Sequence, residues 1–187
     1  KDIEEVLKRI KDLLEDIRRR LKESEERSRK LLEEAREINE RSIERVRRLL
    51  EEIRRLKEEI DSKDVRELIE KVLKEIEDLL RDDKRKNEDM TRKNEELLKK
   101  LKKEIEDVLR EIKELLDRAR KRSGREEMER KVRELERAVR EVIKEVEKLL
   151  TDVARKHKKV SRDNKESLRR SEEEARRVIR AVEETDR

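Results

Sequence analysis

Apolar residues recur at three- and four-residue steps along nearly the whole chain. The first run is Ile3, Leu7, Ile10, Leu14, Ile17 and Leu21, continuing through Leu31, Ala35, Ile38, Val46, Leu49, Ile53, Leu56 and Ile60. A second run leads from Val65, Ile69, Val72, Ile76 and Leu79 through Met90, Leu98, Leu101, Ile105, Val108, Ile112 and Leu115 to Ala119. A third begins at Met128, Val132, Leu135 and Val139 and ends at Val178 and Val182. This spacing keeps one stripe of a helix apolar, so the pattern predicts three long amphipathic helices.

Two interruptions separate them. Asp61-Ser62-Lys63-Asp64 offers side chains that compete for backbone hydrogen bonds and cap the next helix. Arg122-Ser123-Gly124 holds the only glycine, placed where a left-handed residue would end a helix. Asp2 with Glu5 forms a capping-box-like pair, so Lys1-Asp2-Ile3-Glu4-Glu5 reads as a helix start rather than a signal peptide. The expected helices are about 2–60, 63–122 and 125–186, each roughly 90 Å long at 1.5 Å per residue. Such short connections make neighbours antiparallel, giving one all-α, up-down-up, coiled-coil-like bundle over residues 1–187. Successive four-residue steps from Ile38 to Ser42 to Val46 lift the period to about 3.56, which predicts a nearly straight to weakly left-handed supercoil.

Composition sharpens this picture. With 60% charged and 30% apolar residues, the totals alone fit a disordered chain, but the strict periodicity excludes that reading. The chain has no proline, cysteine or aromatic residue. It therefore has no disulfide frame, and its core is limited to aliphatic side chains with well-defined rotamers. No apolar run approaches the ~18 residues of a membrane span, so a soluble protein is expected, consistent with cytoplasmic recombinant expression. A net charge of +5 is small beside 59 basic and 54 acidic side chains and identifies no partner.

The stripes turn polar at mid-length. Ser24 and Ser28 occupy register positions between Leu21 and Leu31, and Asn39 and Ser42 follow. The second helix carries Asn87, Thr91 and Asn94; the third carries His157, Ser161, Asn164, Ser167 and Ser171. In an antiparallel pair, facing residue numbers sum to about 123 across the first turn and about 247 across the second. Ser28 is then level with Asn94 and near Thr151, Asn39 with the Asp83–Asn87 stretch and with Ser161–Asn164, and Thr91 with His157. Ser28, Asn39, Asn87, Thr91, Asn94, Thr151, His157, Ser161 and Asn164 are the expected members of buried hydrogen-bond layers. A buried amide costs a few kcal/mol, roughly, when unpaired, so such layers favour the one alignment that satisfies them. Other readings of the same residues are a ligand-lined channel, or a weak segment that permits hinging or helix exchange. A stripe edge half in solvent is a further reading, covering Ser24, Ser42, Ser167 and Ser171 and extending to Thr151.

Exposed positions filled almost entirely by Glu, Lys and Arg, an aliphatic core and polar layers together resemble computationally designed helical bundles with buried hydrogen-bond networks. The resemblance covers the whole chain and rests on a style of sequence, not a family motif; a natural coiled-coil fragment is the alternative. It implies a structural scaffold without natural biochemical activity. The second implied class is a self-assembling or helix-pairing module, either a homo-oligomer or a switchable bundle.

Chemistry-bearing patterns are otherwise weak. Acidic residues cover every exposed face, so carboxylate pairs read as solvated i,i+4 partners. His157 is the only histidine, which argues against a zinc site, and no cofactor is implied. His157 and Ser161 share a face, but a packed helix supplies no oxyanion pocket, so no enzyme is expected. Protonation of His157 is expected to weaken the polar middle modestly. The basic stretches Arg18-Arg19-Arg20 and Arg155–Lys159 lack stacking aromatics and are flanked by acids, which opposes a nucleic-acid role. Membrane binding is opposed too, because the apolar stripes are needed for the core.

Overall fold

A computed structural model describes residues 2–59 and 63–185. They form three helices: α1 (Asp2–Lys57), α2 (Lys63–Arg122) and α3 (Glu126–Thr185). The side chain of Asp2, and the cap expected at Asp61-Ser62 with the end of α1 at Ile60, lie outside the described residues. Within them α1 stops at Lys57, where the chain tightens. The Glu58 amide donates to the Arg55 carbonyl at 3.3 Å and the Glu59 amide to that of Leu56 at 3.0 Å. Such i→i−3 bonds occupy carbonyls that a helix end leaves open.

The α2–α3 connection closes differently from expectation. Gly124 is not left-handed; no described residue has a positive φ. The Ser123 hydroxyl instead donates to the Arg120 carbonyl at 2.9 Å, so a side chain closes the last turn. Glu126, Glu127 and Glu129 then place negative charge in the first turn of α3, where the helix dipole favours it.

The chain packs as two compact units. The first comprises Lys1–Lys30 with Lys93–Lys156. Its core is a single aliphatic cluster in which Ile10 and Ile17 of α1, Ile105 and Ile112 of α2 and Val142 of α3 are essentially inaccessible. Burying each such side chain contributes roughly 1.5–3 kcal/mol, which outweighs any surface pair in this unit. Arg9 pairs with Glu111 and Arg20 with Glu104, so rising numbers in α1 meet falling numbers in α2.

The second unit comprises Leu31–Arg92 with His157–Arg187. Its main apolar cluster contains Val46, Leu50, Ile53, Ile69, Ile76 and Val178. Ala35, Met90 and Val160 form a separate small cluster. Contacts here fix the topology directly. Asn39–Asp83 and Arg45–Glu75 show α1 and α2 antiparallel, and Asn87–Asn164 with Thr91–Ser161 show the same for α2 and α3. Asn39–Asn164 and Arg54–Glu174 show α1 and α3 parallel, which completes the up-down-up order. At the leucine pairs of α2, Leu80 and Leu116 are the buried members, while Leu79 and Leu115 are half-buried.

Candidate functional site

The polar residues on the inner stripes are the features a uniform aliphatic core would not contain. In the first unit, Ser28 of α1 donates through Oγ to Asn94 Oδ1 of α2 at 2.8 Å. Both are buried, and the bond has the ordinary length for a hydroxyl donor, out of reach of competing water.

The second unit holds a larger layer drawn from all three helices. The Asn39 amide nitrogen donates to Asp83 Oδ2 at 3.1 Å and to the Asn164 backbone carbonyl at 3.4 Å. The Asn164 amide nitrogen donates to Asn87 Oδ1 and to the Ala35 carbonyl, each at 3.3 Å. A carbonyl oxygen has two lone pairs, so Ala35 can serve its own helix and this side chain together. Alanine at that position is small and buried, which lets Asn164 approach the backbone. Asn39, Asp83, Asn87 and Asn164 are all buried, and among the described residues no buried side-chain nitrogen or oxygen lacks a partner. At the layer's edge, Thr91 Oγ1 donates to the Asn87 carbonyl at 3.0 Å and lies 3.4 Å from Ser161 Oγ.

One expected member is placed elsewhere. Thr151 is exposed, and its hydroxyl donates to the Glu147 carbonyl of its own helix at 2.8 Å, so it stays out of the layers. Thr91 meets Ser161, and His157 is half-buried. The Thr91–Ser161 contact lies one helical turn from the level at which Thr91 was expected to face α3, and the offset has a geometric cause. Side chains lean toward the N-terminus of their own helix, so in an antiparallel pair they lean in opposite directions. Backbone levels alone therefore misjudge which tips touch.

Two buried polar residues go beyond the expected set. Ser171 is buried in α3 rather than half in solvent. Asp83 is the only charged side chain in the buried set among the described residues. Its position continues the inward series Ile76, Leu80, Asp83, Asn87, Met90 and Asn94, and that register was the available signal. Burial pushes the Asp83 carboxyl above the ordinary aspartate value, with Asp82 adding to the rise; the Asn39 amide and Lys86 oppose it.

The basic stretches are tied to carboxylates. Arg19 and Arg20 both pair with Asp16, Arg20 also reaches Glu104 at 3.0 Å, and Arg18 lies 3.6 Å from Glu145. Arg155 pairs with Asp152 at 2.6 Å. Among the described residues no three His, Cys, Asp or Glu side chains gather to hold a metal ion, and no helix is long and apolar enough to cross a membrane.

No protein-family model matches the chain, and no curated protein matches it. A solved structure described as a computationally designed three-helix bundle is similar, with a TM-score of 0.65 and 20% identity over 98% of this chain and 89% of that one. At that identity the likeness concerns the fold, and it makes this chain a three-helix bundle.

Proposed function

We propose that this chain is a designed structural scaffold, whose task is to hold three helices in one alignment and whose alignment is specified by its polar layers. The observation that carries the reading is the layer of Asn39, Asp83, Asn87 and Asn164, in which α1, α2 and α3 meet through satisfied hydrogen bonds. Shifting one helix along another would place these amides against hydrocarbon, at a cost of about 1–3 kcal/mol for each unpaired group. An aliphatic core tolerates such slippage more readily, because one leucine replaces another. The sequence style described above and the likeness in fold to a designed bundle both support the reading. It requires no cofactor, metal, nucleic acid or catalytic group.

The test replaces both layers together: Ser28→Ala with Asn39, Asp83, Asn87, Asn94 and Asn164 each changed to leucine. Light scattering on a size-exclusion column is expected to give the parent as one species near 23.0 kDa. The variant is expected to match or exceed the parent's stability, because apolar groups replace both partners of each bond, while its mass distribution broadens. A variant that stays a single species of the parent's mass would remove the specifying role. A parent mass that is a multiple of the chain's would favour the self-assembling module instead.

A further inference from the structure

Asp83 stands apart within its layer. No lysine or arginine among the described residues forms an ion pair with it; Lys84 and Arg85, which follow it, are exposed, and Lys86, whose charge opposes the rise, pairs with Asp82 at 3.0 Å, both of those being half exposed. From α1 the group facing Asp83 is the Asn39 amide, and α3 contributes Asn164, whose carbonyl shares that amide. Neither carries charge. The charged residues flanking these two, Arg36 and Glu40 on α1 and Asp163 and Lys165 on α3, are exposed. His157, two turns before Asn164 on α3, and Glu166 beyond it are half-buried.

We propose that this layer is an acid-tightened lock: protonation of Asp83 strengthens the packing of the three helices in its unit as the pH falls toward the ordinary aspartate range. An ionised carboxylate here has lost most of its hydration and received one amide N–H in return, with no cation paired to it and only the half-exposed Lys86 acting at a distance. Removing a charge from water without a paired partner is far more costly than removing a neutral acid. The neutral carboxyl still accepts from Asn39 and adds an O–H donor to a layer rich in amide oxygens.

The direction follows from linkage. Burial raises the carboxyl's folded value above its unfolded one. The group's contribution to stability is therefore complete below the ordinary aspartate value of about 3.9 and is lost as pH rises through the folded value. Between those limits, acid stabilises. The inference does not depend on whether the layer also specifies register, because it concerns the charge state of one group in a fixed geometry.

The full-length parent and Asp83→Asn are compared by urea unfolding at pH 7.5, 6, 5 and 4. Both chains carry His157 and every surface carboxylate, so their difference isolates Asp83. Asp83→Asn is expected to have the higher unfolding midpoint at pH 7.5, with the gap shrinking steadily toward pH 4. A gap that does not change with pH, or a variant less stable than the parent at pH 7.5, overturns the proposal. Carboxyl-carbon NMR on the parent gives a reading that needs no variant to fold. The Asp83 signal is expected to titrate above the ordinary aspartate range, and titration at or below that range overturns the proposal equally.

Discussion

Ser28 and Asn94 show how a single missing atom is felt inside an aliphatic core. Removing only the hydroxyl, by Ser28→Ala, leaves the buried Asn94 Oδ1 without the bond it now accepts at 2.8 Å. The expected loss is about 1–3 kcal/mol, read from equilibrium unfolding, and the Ser28→Ala/Asn94→Leu double variant should recover most of it. Thr151→Ala marks the opposite case. Its exposed hydroxyl only returns to the Glu147 carbonyl, so the change should be neutral or stabilising by up to ~0.7 kcal/mol through helix propensity. The sequence made most of the layer legible, since Asn39, Asn87, Asn94 and Asn164 are uncharged interruptions of an apolar stripe. Asp83 was hidden by company: acids crowd every outer face, and the charge drew attention away from its inward register. Thr151 erred the other way, because a threonine near a stripe can bond its own backbone and remain outside.

Helix ends separate what pattern conveys from what it does not. The start and end of α2 and the start of α3 fell within a residue of expectation, because charge and apolar period both change there, while the expected end of α3 at 186 lies outside the described residues. The end of α1 at Lys57 came early, since the closing i→i−3 turn has no sequence mark beyond a run of exposed residues. Gly124 invited a left-handed reading that the Ser123 hydroxyl makes unnecessary. A methyl group built on Gly124 would meet nothing within 4 Å. Gly124→Ala is therefore expected to be neutral or to raise stability by about 0.4–1 kcal/mol, by restricting the unfolded chain. A left-handed glycine would give a loss of similar size in the same thermal melt, so the sign decides.

At the scale of the whole chain, opposing pH responses should produce a stability maximum on the acid side of neutral. Arg20, Arg29 and Arg169 hold the carboxyls of Asp16, Glu26 and Glu166 below their ordinary values. Their contributions exist above the ordinary carboxyl range and vanish as pH falls through the lowered values, whereas Asp83 gains in the window above. Melting temperature should rise as the pH falls through the raised Asp83 value and fall again once the paired carboxyls protonate below the ordinary range. In Asp83→Asn the acid-side rise should disappear, leaving any weakening due to His157 visible between pH 7.5 and pH 5. The many ion pairs contribute little to this balance: pairs such as Arg9–Glu111 and Arg54–Glu174 are about half exposed, where each is worth about 0–1 kcal/mol. The bundle fold was legible because period, connection length and composition all pointed one way.

The two methionines have a practical consequence. Met128 packs against the core of the first unit, and Met90 is buried in the small cluster of the second. With no phenylalanine, tyrosine or tryptophan in the chain, His157 is the one ring that could shift a methyl signal, and absorbance at 280 nm is silent. Selective isotope labelling of the methionine methyls would thus yield two isolated resonances, one for each unit. A single denaturant titration could then follow the melting of both halves in one tube, without an added fluorophore.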